Sequence, residues 1–480
     1  MQPNVTRLLR ALAREGLLVH RTPSGDAWVV RHKGSPNAPD AEILLPPDLP
    51  LEAKAVAQLC DLAGVSHPDG GRACRACATP DFHPGDSGVA IGSVLETEDL
   101  LVPQAVGVDI NCGMRLHTVD LTVDRFLSRK EKLLERLKGD YLLGTRDIVL
   151  SGAAMSGALT EGLPGFLQAT RGQAMGALAK ADLGVIEDEL ARVHLGGALQ
   201  GDLRWAPHAL VGTDDVRDEG LATIGRGNHF AEVQVVEEVF DRGVAYRWGV
   251  TKGQVAIMIH SGSRNVGRYV GSQWEELART RWPATSPYPK SRIFPISTRS
   301  QPELAAAYLR AEHTAANYGF LNRALLAELF RLRVSEVYGE TAAPLLYDLP
   351  HNITLEENGR YVARKGACPA HDGQPVIIPG SMANGSYLCV GLGQDRMISS
   401  ASHGAGRAIA RGAMGRSIRD DAHREALGLS GVHCVTLHEE RMVEEAPAAY
   451  KPIRPVIDAQ IAAGVLRPVA RLTPLVTFKA

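Results

Sequence analysis

The sequence has almost no net charge, few cysteines and no long apolar run. Lys and Arg total 52 against 54 Asp and Glu. The field of the whole chain therefore does not attract nucleic acid, and any such contact needs a local patch. Seven cysteines are too few, and odd in number, for a disulfide framework. No basic and apolar leader opens the chain, so we expect a reduced, cytoplasmic compartment. The longest uncharged run, 373–394, contains glycines and prolines that exclude a membrane helix.

Helical and strand-like patterns are mixed along the chain and predict an α/β protein. Apolar periodicity predicts a helix within 52–65, the segment 300–338 is strongly helical, and Thr122 is placed to cap another helix. Residues 80–119 are rich in Gly, Asp and short β-branched runs, which is typical of strands joined by loops. Polar motifs are spread over most of the chain without a repeat or a linker. We therefore expect one catalytic domain over 1–480.

Some segments carry no assignable chemistry. Residues 1–50 hold no motif, and residues 150–176 are Gly- and Ala-rich with weak periodicity. Residues 283–301 are rich in Pro and Ser, which predicts a surface insertion. Cys74 and Cys77 form a lone CxxC pair without a second pair. This pattern favours an incidental surface pair over metal or redox use.

Five residues of metal-binding type stand in glycine-rich turns or at the ends of apolar runs: Asp109, Cys112, His229, His260 and His351. Each alone is better explained as a buried or hydrogen-bonded side chain. Together, a carboxylate, a thiolate and three imidazoles suit Mn, Zn, Fe or Co rather than Mg or Ca alone. A shared thiolate would suit a two-metal centre for phosphoryl transfer. The alternative is that these loops are unrelated in space.

Two Gly/Ser-rich turns in the last quarter of the chain can offer backbone N–H groups to phosphate. One contains IPGSMANGSYL (378–388), and the other contains SSASHGAGRAIARG (399–412). His403 lies in the second, in a turn predicted to open a helix. There it could attack phosphorus while the helix N-terminus stabilises the anion. No GxxxxGK[ST] run occurs, so a Walker A site is excluded.

The order of these motifs resembles that of the RtcB family, the GTP-dependent RNA-splicing ligases. The motifs that carry the resemblance run from Pro80 to Ala480: PDFHPG, GVDINCGMR, GNHFAE, HSGSR, HN, RKGA, IPGSM, HGAGR, AYK and FKA. Any one of them is weak, but ten in the same order are highly specific. The resemblance implies a compact α/β fold of the α+β type, particular to this family, in which helices wrap a β-rich core.

The resemblance also implies site residues. Two Mn²⁺ ions would be held by Asp109, Cys112, His229, His260 and His351, with Cys112 between both metals. The guanylylated nucleophile would be His403, oriented by Asp81. Phosphate clamps would be Arg264, Lys365 and Arg407. Contacts to GMP would come from Asn228, His229, Phe230, Ala231, Glu232, His351, Asn352, Pro379, Gly380, Ser381, Met382, Ser386, His403, Gly404, Ala405, Gly406 and Lys479.

The implied activity joins an RNA 3′-phosphate, or a 2′,3′-cyclic phosphate after its opening, to a 5′-hydroxyl. A histidine–GMP adduct forms from GTP and passes GMP to the RNA, giving an RNA(3′)pp(5′)G end that the 5′-hydroxyl attacks. Activation is needed because a phosphate monoester dianion repels nucleophiles and has no good leaving group. The implied role is tRNA splicing or RNA repair, with an archease-type activator as a candidate partner.

Other functions stay open at the level of sequence. A metal-dependent phosphoesterase would need no guanine pocket, and a non-catalytic RNA-binding module would call for a strong basic face. Several residues depart from the family pattern, including Arg226 in the GNHF loop, Asp86 in the PDFHPG loop and the basic residues of 283–301. These departures bear on the substrate more than on the chemistry. A paralogue specialised for another RNA end is therefore a further alternative.

Overall fold

The structure is a computed structural model that describes residues 5–34, 38–46, 48–409, 413–415 and 418–480. Its α-helices are α1 (Val5–Arg14), α2 (Ala53–Ala63), α3 (Val123–Ser128), α4 (Lys130–Tyr141), α5 (Gly152–Glu161), α6 (Leu163–Thr170), α7 (Leu183–Asp188), α8 (Arg242–Arg247), α9 (Arg264–Thr280), α10 (Pro302–Tyr338), α11 (Asp421–Ala426) and α12 (Ile453–Ala462).

The strands of the described residues fall into two large sheets and two small ones. They are β1 (Leu17–Arg21), β2 (Ala27–His32), β3 (Ala41–Leu44), β4 (Arg72–His83), β5 (Ile91–Glu98), β6 (Leu100–Leu101), β7 (Gly113–Thr122), β8 (Phe230–Val239), β9 (Gln254–Ser261), β10 (Ile296–Ser297), β11 (Leu345–Pro350), β12 (Asn352–Glu357), β13 (Arg360–Lys365), β14 (Ala367–Pro369), β15 (Pro375–Pro379), β16 (Ser386–Gly391), β17 (Ser400–Ser402), β18 (Cys434–Thr436) and β19 (Leu466–Lys479).

The two large sheets share one apolar core. One sheet has the order β1-β2-β3-β4-β5-β13-β12, and the other has the order β11-β7-β9-β8-β19-β16-β15, with β18 beside β19. The main core cluster draws buried side chains from Leu12 to Phe478. A smaller cluster, which includes Met114, Met258 and Leu388, covers part of the second sheet. The mixed α/β class with a β-rich core is confirmed.

The longest helix, α10, runs through the core and packs on α4, α5, α9 and β9. Its middle, from Thr314 to Phe330, is buried on all sides. A helix in such a position is not amphipathic, because every face meets protein. The helix predicted within 300–338 is confirmed. Its middle packs against protein on every face, so the helix has no single apolar stripe there.

Other predicted elements are also present. The segment 52–65 contains α2. The Oγ1 atom of Thr122 accepts a hydrogen bond from the backbone N–H of Arg125 and caps α3. The described part of 1–50 forms α1 and the first three strands, and β3 pairs in parallel with β4. A segment without a motif thus extends the first sheet.

Weak periodicity concealed two helices. Residues 150–176 contain α5 and α6, which pack closely through Gly157 and Gly165. A Cβ atom on Gly157 would lie 2.6 Å from the carbonyl oxygen of Gly165. The two helices meet through glycines, which let their backbones approach closely. Contact through glycines needs no stripe of large apolar residues, so the sequence shows little helical periodicity here.

The predicted surface position of the Cys74 and Cys77 pair is wrong for Cys77. Both residues lie in β4, and Cys77 is fully buried while Cys74 is half-buried. Burial raises the pKa of the Cys77 thiol to about 12, so this thiol stays protonated at neutral pH. Cys77 is a small apolar residue of the core.

Residues 283–301 are only partly exposed. Lys290, Arg292 and Arg299 are exposed, and Arg299 pairs with Asp99. In contrast, Phe294 is buried against Trp282, with ring centroids 5.7 Å apart. The segment is anchored to the core at its second half.

Among the described residues, no helix combines the length and the apolar character needed to cross a membrane.

Candidate metal centre and nucleotide pocket

Strand register brings the predicted metal ligands to one edge of the second sheet. The order β11-β7-β9-β8 makes these strands neighbours. Gly113, which follows Cys112, pairs with Ser261 of β9 and with Pro350 of β11. His260 of β9 pairs with Phe230, the first residue of β8. Because antiparallel neighbours place the start of one strand beside the end of the next, ligands distant in sequence meet at this edge.

The five ligands form two groups that share Cys112. One group holds Asp109, Cys112 and His229, and the other holds Cys112, His260 and His351, with the ligand atoms of each group within 4.8 Å of one another. The Sγ atom of Cys112 lies 3.1 Å from Nε2 of His229 and 3.2 Å from Nε2 of His260.

Each group also has a second close pair of ligand atoms. Nε2 of His229 lies 3.0 Å from Oδ2 of Asp109, and the Nε2 atoms of His260 and His351 are 3.3 Å apart. This arrangement matches two adjacent metal subsites with a shared thiolate. The five predicted ligands are therefore brought together, and the alternative of unrelated loops is wrong.

The chemistry of this donor set fits divalent transition metals. Burial and neighbouring imidazoles lower the pKa of His260 and of His351 well below the usual value, so both rings are neutral at pH 7. Neutral imidazole is the form that binds metal. Burial, with Asp109 beside it, raises the pKa of the Cys112 thiol. Metal binding would therefore release the thiol proton, as it does whenever a thiolate becomes a ligand.

The His403 side chain lies beside this centre and is held by a buried carboxylate. Nδ1 of His403 lies 2.6 Å from Oδ2 of Asp81, and Oδ1 of Asp81 accepts a hydrogen bond from Thr79 at 2.5 Å. Burial opposes ionisation of Asp81, but His403 and Thr79 outweigh it and lower the pKa of this carboxyl. An ionised Asp81 fixes the proton on Nδ1 and leaves the Nε2 lone pair available. The ring centroid of His403 is 4.8 Å from that of His351.

The prediction that His403 opens a helix is wrong for the described residues. Strand β17 ends at Ser402, and residues 403–409 form bends and one bridge without a helical turn. The remaining residues of the predicted helix, 410–412, lie outside the described part of the chain. Gly406 instead lies against the backbone of Asp81, where an added Cβ would come within 2.3 Å of the Asp81 carbonyl oxygen. The glycine-rich turn serves this close approach, so helix-terminus stabilisation has no structural basis here.

Two concave surfaces meet at His403. The inner pocket is lined by Met114, Asn228, Phe230, Glu232, His260, Pro379–Met382, His403–Gly406, Glu445, Tyr450, Thr477 and Lys479. The outer cleft is lined by His83, Asp86, Ser87, Arg226, His229, Arg264, Arg268, Glu275, His351, Asn352, Lys365 and His403, among others. His403, His260 and Asn228 border both surfaces. A group bound in the inner pocket could thus be passed to one in the outer cleft at this histidine.

Most of the predicted nucleotide contacts line the inner pocket, and the others lie nearby. Ala231 is fully buried within β8, and Ser386 accepts a hydrogen bond from Gln234 at 2.9 Å beneath the pocket. Asn352 faces the outer cleft and binds the backbone of Asp109 and of Gly366. Ala231, Ser386 and Asn352 therefore support the site from behind or from the side.

Sequence analysis missed Glu445, Tyr450 and Thr477. Oε2 of Glu445 lies 3.0 Å from Nζ of Lys479 and accepts a hydrogen bond from Tyr450 at 2.5 Å. Thr477 donates to the buried carboxylate of Glu232. Tyr450 lies in AYK, one of the motifs that carry the resemblance, and this motif could have indicated a place in the site. Glu445 and Thr477 carry no motif of their own.

The three predicted phosphate clamps differ in their surroundings. Arg264 lines the outer cleft and donates to Thr223 at 3.0 Å. Lys365 donates to Ser87 at 2.5 Å and to the carbonyl of Gln104 at 2.9 Å, and burial lowers its pKa to about 8. Arg407 donates to the carbonyl of Glu444 at 2.6 Å and, at 3.4 Å, to Glu445 and Tyr450, which line the inner pocket.

The comparison with known proteins agrees with this geometry. The sequence model of the family described as "tRNA-splicing ligase RtcB" matches residues 61–480. The chain belongs to the RtcB family. Relatives include the tRNA-splicing ligase RtcB of Archaeoglobus fulgidus, which is 32% identical over 88% of this chain and 91% of its own. The RNA-splicing ligase RtcB of Mycobacterium tuberculosis is 32% identical over 83% of this chain and 95% of its own.

The RtcB match begins at residue 61 and thus includes every predicted ligand and His403, the predicted nucleophile. The tRNA-splicing ligase RtcB of Thermococcus kodakarensis is also 32% identical, over 82% of this chain and 86% of its own. The departures noted in the sequence, Arg226 and Asp86, both face the outer cleft. They are therefore positioned to affect what the cleft accepts rather than the metal ligands themselves.

Proposed function

We propose that this protein is a GTP- and manganese-dependent RNA ligase that joins a 3′-phosphate or 2′,3′-cyclic phosphate end to a 5′-hydroxyl end. The observation that carries the proposal is the place of His403. Its Nδ1 is held 2.6 Å from Asp81, and its ring borders the inner pocket, the outer cleft and His351 of the metal centre. A nucleophile at such a junction can receive a group on one side and deliver it on the other.

In the proposed mechanism, Nε2 of His403 attacks the α-phosphorus of GTP. A P–N bond forms, the bond to pyrophosphate breaks, and Asp81 stabilises the positive charge that develops on the ring. An oxygen of the RNA 3′-phosphate then attacks the same phosphorus and frees the histidine. Finally, the 5′-hydroxyl oxygen attacks the 3′-phosphorus, loses its proton and displaces GMP. A 2′,3′-cyclic end first needs hydrolysis to the 3′-phosphate.

The metal ligands on this chain would hold two Mn²⁺ ions, one in each group that contains Cys112. When bound, the ions would neutralise phosphate charge and make phosphorus more electrophilic. Lys365 and Arg264 would hold phosphates in the outer cleft, where Arg226 and Arg268 add positive charge. The RNA would therefore lie along this cleft, and its identity, as a tRNA half or another broken RNA, would depend on the cleft walls.

The inner pocket suits guanine. Glu232 lies on its wall and is fully buried, with Gln234 donating to it at 2.6 Å and Thr477 donating from the other side. An ionised carboxylate there can accept from both the N1–H and the 2-amino group of guanine, a pair of donors that adenine lacks. Lys479, at 2.8 Å from the carbonyl of Gly227, closes the same wall.

The test of the proposed function is incubation of the full-length protein with Mn²⁺ and GTP labelled at the α-phosphate. We expect a label that survives denaturation and is lost in acid, as a phosphoramidate should be. The labelled protein should then join a 3′-phosphate RNA to a 5′-hydroxyl RNA and release GMP. Metal binding without any label would instead favour a phosphoesterase or an enzyme that requires an activator.

Guanine affinity should depend on pH through Glu232. Burial raises the pKa of this carboxyl to about 7 in the free protein. Because the ionised form is the acceptor for guanine, affinity is about half its maximum near pH 7, approaches the maximum as pH rises above that value, and falls as the carboxyl takes up its proton below it. We expect guanosine, whose donors do not titrate in this range, to bind about tenfold more weakly at pH 6 than at pH 8. Isothermal titration calorimetry at both pH values measures this difference.

The matched variant is Glu232→Gln, whose amide cannot titrate. It should bind guanosine more weakly at pH 8 and show no change in affinity between pH 6 and pH 8. Adenosine should bind weakly to both proteins at either pH. A wild-type affinity for guanosine that is constant over this interval would contradict the assignment of Glu232 as the base-reading group.

A further inference from the structure

Arg323, in the buried middle of α10, contacts the loops that carry the metal ligands. Its Nη1 donates to the carbonyl of Asn111 at 2.6 Å and to that of Ser261 at 3.0 Å. Its Nη2 donates to Oδ1 of Asn111 at 3.1 Å. Asn111 directly precedes Cys112, and Ser261 directly follows His260. One guanidinium thus holds the backbone beside a ligand from each metal group.

The same guanidinium reaches a third ligand loop through Asp348. Nε of Arg323 lies 3.0 Å from Oδ1 of Asp348, and Nη2 lies 2.7 Å from the same atom. Asp348 is in β11, whose end leads directly into His351. Arg115 also donates to Asp348, at 3.2 Å. The carboxylate therefore keeps a cationic partner even if Arg323 is replaced.

Asn322 completes the contacts to the ligand loops. Its Nδ2 donates to the carbonyls of Thr223 and Gly262 and to Oγ of Ser261, at 2.9–3.1 Å. Its Oδ1 accepts from the N–H of Thr223 at 3.1 Å. Thr223 begins the loop that leads to His229. Two adjacent side chains on one helix therefore contact all the loops that supply the five ligands.

The contacts of Arg323 surround a left-handed backbone position. Asn111 has a φ of +50°, in a region that asparagine enters more readily than most residues other than glycine. Asn322 and Arg323 have no solvent exposure, and α10 packs against β7 and β9, which carry two of the ligand loops. Every N–H group of Arg323 has an acceptor in these contacts. A buried guanidinium so completely satisfied fixes the relative positions of its acceptors.

We propose that Asn322 and Arg323 are positioning residues that set the separation of the two metal subsites and their affinity for metal. The inference rests on the proposed function only for the assignment of metals to the five ligands. Groups that orient metal ligands from behind typically contribute 10–100-fold to metal affinity. In this chain they act through backbone carbonyls rather than through the ligand side chains, so ligand geometry depends on α10.

The test uses Co²⁺, which reports on its ligands through absorption, with Arg323→Lys as the first variant. Lysine keeps the charge opposite Asp348 but cannot bridge the carbonyls of Asn111 and Ser261. We expect Co²⁺ to bind about 10–100-fold more weakly, with a shifted thiolate-to-cobalt band from Cys112. Calorimetric titration of the full-length protein gives the affinity, and the absorption band gives the geometry.

The matched control is Arg331→Lys, on the same helix. Arg331 is largely buried and pairs with Glu189 and Glu328, but it contacts none of the ligand loops. The Arg331→Lys change replaces a comparably buried guanidinium and keeps the charge opposite Glu189 and Glu328, so the variant should retain the wild-type cobalt affinity and spectrum. Asn322→Ala is the second variant and should weaken Co²⁺ binding in the same direction as Arg323→Lys. It decides the outcome if Arg323→Lys does not fold.

Three outcomes would overturn the positioning role. They are wild-type cobalt affinity and spectrum in both Arg323→Lys and Asn322→Ala, equal weakening in Arg331→Lys, and a wild type that binds no Co²⁺. The proposed function fails separately: a wild type that binds Co²⁺ but takes no label from GTP with Mn²⁺ would remove the ligase assignment. The cobalt spectra of the variants would in that case still support the positioning role.

Discussion

We expect His403→Ala to take no label from α-labelled GTP and to join no RNA ends. The alanine has no lone pair to attack phosphorus, and no other imidazole among the described residues borders both concave surfaces while being held by a carboxylate. The metal centre should survive, because His403 belongs to neither group of ligands. Gel analysis of the labelled protein, with Co²⁺ absorption in parallel, measures both properties.

Asp81→Asn separates the nucleophile from the group that orients it. An amide can hold the wrong tautomer of His403 and cannot stabilise its positive charge, so we expect adduct formation to slow by about 10³- to 10⁴-fold without being abolished. His371→Ala is the control, since His371 is half-exposed beside Glu357 and lines neither concave surface. Full labelling of His403→Ala would show that another residue carries GMP.

Loss of the shared sulfur should remove both metals at once. Cys112 belongs to both groups of ligands, so Cys112→Ala deprives each subsite of one ligand and of the negative charge between them. We expect metal affinity to fall by more than about a hundredfold at both subsites, since even residues that only support a ligand contribute 10–100-fold. Titration with Mn²⁺ and Co²⁺ measures the loss, and GTP labelling should disappear with it.

Cys389→Ala controls for the removal of a buried thiol. Cys389 lies in β16 with no solvent exposure and lines neither concave surface, so metal binding should be unchanged. Measuring RNA binding by Cys112→Ala distinguishes an enzyme from a non-catalytic RNA-binding module. A module would keep its RNA affinity and its function without the metal, whereas an enzyme would lose its activity. Retention of one tightly bound metal in Cys112→Ala would contradict the shared ligand.

The chemical role of individual side chains could be predicted from the sequence, but the residues that each of them meets in space could not. The proposal of His403 as the nucleophile and of five residues as metal ligands followed from residue type, glycine-rich surroundings and the resemblance. Their meeting depends on register: Gly113 pairs with both Ser261 and Pro350, a fact that no spacing along the chain encodes. The helix expected to open at His403 is absent from the described residues, where Gly406 packs closely against Asp81.

Residues without a motif mark the limit of sequence reasoning. Glu445 and Thr477 act because β19 and the segment before α12 close the inner pocket. Arg323 appears in sequence as one more polar residue in a helical run, and only the path of α10 beneath the sheet edge gives it a role. Polar groups in a core are satisfied by partners far along the chain, which local patterns do not specify.

The sequence by itself determined the family, the mixed α/β class, the long helix α10 and the chemistry of the donor atoms. These depend on residue type and short-range periodicity, which are local properties. The tertiary structure alone decided how strand register gathers the two ligand groups around the Cys112 sulfur, that His403 lies between a pocket and a cleft, and that α10 contacts the ligand loops. Each of these depends on strand register and on burial, because long-range pairing brings together residues that the chain keeps far apart.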